Sequence, residues 1–99
     1  MLIHPEKLIM TTSSGDASGN TKTLMGIVHN IIIKPTTETT DYTVIITNSS
    51  GMTVYERKEE VGSLSELVSL PVYGIYTVAL ARATNDEEFE IHLVLEEKQ

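Results

Sequence analysis

Apolar residues recur at every second position along much of this chain, and that period decides what it can fold into. In residues 89–96, Phe89, Ile91, Leu93 and Leu95 fall on one face, and Glu90, His92 and Glu96 on the other. Successive side chains of an extended chain point to opposite sides, so this is a strand with one dry face, broken only by Val94. Residues 41–48 set Tyr42, Val44 and Ile46 against Thr43, Ile45 and Thr47. Residues 52–57 follow after Asn48-Ser49-Ser50-Gly51, and the two segments predict a hairpin. Residues 75–81 give a further strand, introduced by Pro71 and Gly74, with Tyr76, Val78 and Leu80 on one side. Eight Val, ten Ile and thirteen Thr make 31 of the 99 residues β-branched, the side chains that sit best on a pleated surface.

Polar, turn-forming stretches separate these pieces. Residues 13–20 (SSGDASGN), 35–40 (PTTETT), 48–51 (NSSG) and 83–88 (ATNDEE) read as loops. Residues 23–34 (TLMGIVHNIIIK) are apolar on both faces, interrupted by Gly26 and by His29-Asn30, and predict a strand bent by a bulge. Residues 62–70 are the one helical candidate. Ser63 and Glu66 have the spacing of a capping box, and Pro71 limits the segment to two turns, so a short helix or an irregular crossover near 63–70 is expected. Residues 1–12 form an edge strand or an N-terminal arm. The sum is a single all-β domain over residues 1–99, an antiparallel sandwich of six to seven strands with a Greek-key crossing in residues 58–74.

Chemistry is hard to find. There is no cysteine, which removes disulfides, thiol nucleophiles and zinc-thiolate sites. A formal charge of −7 opposes nucleic-acid binding, which needs clustered Lys and Arg. No apolar run nears the roughly 18 residues that span a bilayer, and the first twenty residues, with His4, Pro5 and Glu6, predict no export signal. His4, His29 and His92 are isolated in sequence. Residues 16–20 begin like a calcium loop, but Thr21 and Ile27 stand where an EF-hand needs Gly and Glu. Asp86, Glu87 and Glu88 read as a solvated tip or a cation site, and Asn48-Ser49-Ser50 as turn chemistry rather than a glycosylation signal. No Ser, His and acid pattern marks a nucleophile, so no catalytic residue, cofactor or metal site is expected.

Surface is what remains. Two segments carry more apolar weight than alternation requires, and they supply candidate docking residues: Leu2, Ile3, Leu8 and Ile9 in the first, Leu64, Leu67, Val68 and Tyr73 in the second.

The sequence from Gly26-Ile27 through Ile45-Ile46-Thr47-Asn48, Gly51-Met52-Thr53-Val54-Tyr55 and Pro71-Val72-Tyr73-Gly74-Ile75-Tyr76-Thr77-Val78 resembles a group of small tailed-bacteriophage virion proteins. The resemblance spans residues 24–95 and lies in turn and strand grammar, with the first 23 residues outside it. It implies a β-sandwich attached to a viral head or tail, most often a capsid decoration (cement) protein located in the virion. The implied partners are the major capsid protein or other virion subunits, with further copies of the chain itself. A protein that binds only the assembled shell stabilises it by mass action. The alternatives are a ring-forming head-tail or tail-fibre adaptor, and a sugar- or calcium-binding module using Tyr73, Tyr76 and residues 86–88.

Overall fold

The computed structural model describes residues 2–84 and 86–97; the side chains of Leu2 and His4 lie outside the described residues. Eight strands follow one another: β1 (Leu2–Thr11), β2 (Ala17–Asn20), β3 (Leu24–Pro35), β4 (Asp41–Thr47), β5 (Thr53–Val61), β6 (Leu64–Gly74), β7 (Thr77–Ala81) and β8 (Glu88–Glu97). They build two antiparallel four-stranded sheets, ordered β1-β8-β3-β6 and β2-β7-β4-β5. Only β4 and β5 are neighbours both in the chain and in a sheet. Every other link crosses from one sheet to the other, so the layers are stitched together repeatedly. Among the described residues there is no helix, and none long and apolar enough to cross a membrane.

The dry faces meet between the sheets. The central strands supply most of the core: Leu24, Val28, Ile31 and Ile33 from β3, Phe89, Ile91, Leu93 and Leu95 from β8, Val44 and Ile46 from β4, Val78 and Leu80 from β7. Burying each such side chain stabilises the fold by about 1.5–3 kcal/mol, which is why the alternation in the sequence is so regular there. Tyr42 lies at the centre of the same cluster, its ring edge-on to Phe89 with centroids 5.2 Å apart.

The interruption at His29 is a bulge, as its sequence suggested. Relative to β8, β3 carries one extra residue between Val28 and Asn30. Relative to β3, β6 carries one more, Val68 and Ser69 together facing the single His29. Each successive strand is thus longer on one side, which coils the sheet, and the buried positions of β3 switch from even to odd across the bulge.

Two expectations need correction. There are eight strands rather than six to seven, because residues 17–20 of the expected first loop form β2. Nothing in Ala-Ser-Gly-Asn announces a strand; it forms because it pairs with β7, Ala17 opposite Leu80 and Asn20 opposite Thr77. Met10 of β1 covers Gly19, its sulfur 3.1 Å from where a Cβ would stand. Residues 63–70 are neither helix nor irregular crossover but most of β6. The residues of the apparent capping box are used otherwise: Ser63 donates from its backbone N and its Oγ to the Glu38 carboxylate, at 3.0 and 2.7 Å, while Glu66 accepts from the Tyr55 hydroxyl at 2.6 Å. A two-turn helix is weak in isolation, and pairing along β3 outweighs it. The crossing itself is only the Gly62-Ser63 link. There Gly62 has φ +73°, and a Cβ would meet the Glu38 carbonyl oxygen at 2.6 Å, so only glycine fits without strain.

Residues 2–11 are an edge strand, not an arm. They pair with β8 from Leu2↔Glu97 to Thr11↔Glu88, and Met10 is buried. Just beyond, buried Thr12 donates from Oγ1 to the Thr84 carbonyl at 2.5 Å and accepts from the Glu87 N–H at 2.9 Å, pinning the loop before β8.

Candidate interaction face

Each sheet turns one face outward, and the two differ. The outer face of β2-β7-β4-β5 is made largely of small, polar and charged groups, among them Ser18, Asn20, Thr43, Thr47, Glu56, Lys58, Thr77 and Ala79, with Ile45 half-buried and Val61 exposed at the β5 edge. The outer face of β1-β8-β3-β6 carries large apolar side chains that the core leaves out. Leu67 is 83% exposed, Tyr73 78% and Ile3 59%.

Strand register shows how these come together. Ile3 of β1 stands opposite Glu96 of β8, Glu96 opposite Ile27 of β3, and Ile27 opposite Pro71 of β6. One step further along, Met25 is opposite Tyr73; in the next row Pro5, Val94, Asn30 and Leu67 follow in turn. Met25, Gly26, Ile27, Pro71, Val72, Tyr73 and Glu96 line a shallow groove of about 590 Å³ at this end of the sheet. Gly26 has φ +147°, a conformation open chiefly to glycine.

The charges on this face are held in pairs. His29 Nε2 lies 2.8 Å from Glu96 Oε1, and His92 Nε2 lies 2.7 Å from Glu90 Oε1, with Lys7 Nζ 3.5 Å from the same oxygen. The hydrogen bond from His92, aided by Lys7, holds the Glu90 carboxyl below the usual carboxylate range. A similar pair of hydrogen bonds from Ser63 keeps Glu38 low.

The eight candidate docking residues separate by strand phase. Ile3 and Ile9 of β1 and Leu67 and Tyr73 of β6 are exposed. Leu8, Leu64 and Val68 instead pack against the core, on the opposite phase of their strands. The side chain of Leu2 lies outside the described residues. Ile3, Leu67 and Tyr73 thus share one patch, whereas Ile9 stands opposite Glu90 toward the other end of the sheet. Sequence reasoning missed Met25, Ile27, Pro71 and Glu96. The signal was present in the apolar character of residues 23–34 on both faces, since a strand with one wet side has no need of Met25 or Ile27.

The residues proposed for sugar or calcium are dispersed. Tyr76 is buried, its hydroxyl oxygen accepting from the Tyr73 N–H at 2.9 Å, so it forms no platform with Tyr73. Glu87 turns inward and its carboxylate accepts from the Thr37 N–H at 2.6 Å. Among the described residues no three His, Asp or Glu side chains converge as metal ligands. Asn48 Oδ1 accepts from the N–H groups of Ser50 and Met52, both at 3.0 Å, which is the turn chemistry read from the sequence.

No protein-family model and no curated protein matches this sequence. Several solved structures are similar in shape. A family two carbohydrate esterase from Cellvibrio japonicus is 12% identical with a TM-score of 0.49, over 97% of this chain and 34% of the esterase. This chain therefore spans about a third of that enzyme's length. The periplasmic g-type lysozyme inhibitor PliG of Aeromonas hydrophila is 12% identical with a TM-score of 0.45, covering 93% of this chain and 85% of that one. The carbohydrate-binding module CBM36, solved with calcium and xylotriose, is 15% identical with a TM-score of 0.38, covering 99% and 93%. Similarity at this level carries no inference about what this chain binds or does.

Proposed function

We propose that this chain is a non-enzymatic structural subunit that docks on another protein through the outer face of β1-β8-β3-β6, in the manner of a capsid decoration protein reinforcing a viral shell. The observation that supports the docking is the set of exposed apolar side chains Ile3, Met25, Leu67, Pro71 and Tyr73 that strand register gathers toward one end of a single sheet face; Ile9, Met52, Val61 and Ile75 are also exposed. Contiguous apolar surface of this kind, with an exposed aromatic side chain in it, is characteristic of protein interfaces. The viral setting comes from the resemblance in residues 24–95.

Stabilisation of the shell then follows from linkage. A subunit that binds the assembled state and not the free components favours assembly by RT ln(1 + [L]/Kd) at each site, or about 2.7 kcal/mol at a free concentration one hundred times Kd. Immunogold labelling of virus particles produced by cells that express the chain tests the proposal. Regularly spaced label on the shell is the expected result. Particles that carry none of this chain, or label confined to the tail, contradict the decoration role; tail label favours the adaptor.

A further inference from the structure

We infer that the groove beside Tyr73 receives an apolar side chain of the partner, and that a Lys or Arg next to it in the partner chain pairs with Glu96; this rests on the docking reading above. The walls of the groove are apolar, from Met25, Ile27, Pro71 and the Tyr73 ring, and among the described residues Glu96 is the one charged group lining it. Such a site takes a large apolar anchor and orients it with a single polar contact. His29 engages Oε1 of Glu96; among the described residues Oε2 has no partner.

Charge selects the occupant. The chain carries a formal −7, so a second copy brings a further −7 to the encounter, whereas a basic surface is drawn toward it. Lys and Arg also cover apolar surface with their methylene stems while the charged end reaches a carboxylate, which suits a groove with one acidic residue on an apolar wall. The expected partner segment is therefore apolar and basic together.

Two acetylated hexapeptides test this by NMR titration of the isotope-labelled full chain: one with a leucine-phenylalanine core flanked by lysines, one with the same core flanked by glutamates. The lysine peptide should shift the amides of Met25, Gly26, Ile27, Val72 and Tyr73 and bind roughly tenfold more tightly than the glutamate peptide at low salt, a preference that shrinks as salt is added. Glu96→Gln should cut the preference several-fold, leaving only the salt-sensitive part due to net charge, and Tyr73→Ser should weaken both peptides. Both variants should retain the wild-type amide spectrum away from the groove. Equal affinity for the two peptides, shifts centred elsewhere, or no shift with either overturns the inference. So do concentration-dependent shifts without peptide, which mean a second copy, and shifts with cellotriose alone, which mean a sugar. If particles bear the chain but neither peptide binds, this inference fails and the docking reading stands. Peptide binding by a chain absent from particles does the reverse: it rejects the viral role and supports the groove.

Discussion

Replacing Tyr42 by Phe removes one buried oxygen beside the link between β5 and β6, and the structure states what that oxygen does. Tyr42 is 1% exposed, and its hydroxyl donates to the Gly62 carbonyl at 2.8 Å. Gly62 is itself buried, in the two-residue link that carries the chain from β5 to β6. The edge-on contact with Phe89 survives the substitution, so the loss is that of a buried carbonyl left without its donor, about 1–3 kcal/mol. With a urea dependence of about 1.5 kcal/mol per molar, a loss of 2 kcal/mol lowers the unfolding midpoint by roughly 1.3 M. Alkaline pH gives a second readout. Burial, with the nearby charges of Glu60 and Glu38, pushes the Tyr42 hydroxyl up to about 12 from an ordinary value near 10. The folded state thus holds this proton more tightly than the unfolded state. Its stabilising contribution is complete below pH 10 and is lost as pH rises from 10 through 12, by about 3 kcal/mol in all. Tyr42→Phe lacks that loss, so the difference between the wild-type and variant stability curves should narrow over this interval. Tyr55, raised by its own burial and its hydrogen bond to Glu66, titrates in both proteins and cancels from the difference. Urea midpoints by circular dichroism at pH 7 and across pH 9–12 make the measurement. An unchanged midpoint at pH 7, or a difference that stays constant with pH, refutes the assignment of Tyr42 as the clasp of the crossing.

Other substitutions probe other parts. Gly62→Ala forces a side chain into left-handed backbone against the Glu38 carbonyl and should cost about 3 kcal/mol, visible as a lower melting temperature. Deleting residues 1–11 removes a fully paired edge strand and buried Met10, so the product should show no cooperative unfolding transition, where a free arm could be cut without effect. Leu67→Ser and Tyr73→Ser, by contrast, alter side chains that protrude into solvent and should shift stability by no more than about 0.5 kcal/mol in the same assay.

Where one face of a strand is dry, the sequence reveals it. β8, β4 and β7 were legible because each buried position alternates with a wetter one, and the β4-β5 hairpin because Asn48 and Gly51 punctuate it. β2 was not, since four small polar residues owe their extended form to β7 on one side and to Met10 above Gly19. β6 was misread for a different reason. Ser63 and Glu66 have the spacing of a capping box ahead of Pro71, yet each is used across the fold, Ser63 toward Glu38 and Glu66 toward Tyr55, so two tertiary contacts imitated a helix start. Ile3, Leu67 and Tyr73 were the legible part of the candidate face. Its remainder depends on register: Met25, Ile27, Pro71 and Glu96 come from three strands, and no local pattern relates them. The bulge at His29 matters here, because it lets residues 25 and 27 before it and 32 and 34 after it share the outer side.

The claim on which the functional account rests is that the outer face of β1-β8-β3-β6, and not its counterpart on the other sheet, meets the partner. Cosedimentation of the purified chain with stripped shells tests it through two variants: Leu67→Ser combined with Tyr73→Ser, and Lys58→Ser on the opposite sheet. Removing two central apolar anchors should weaken shell binding by at least about a hundredfold, while Lys58→Ser should bind as the wild type does. Undiminished binding by the double variant, or loss of binding with Lys58→Ser alone, would place the interface elsewhere.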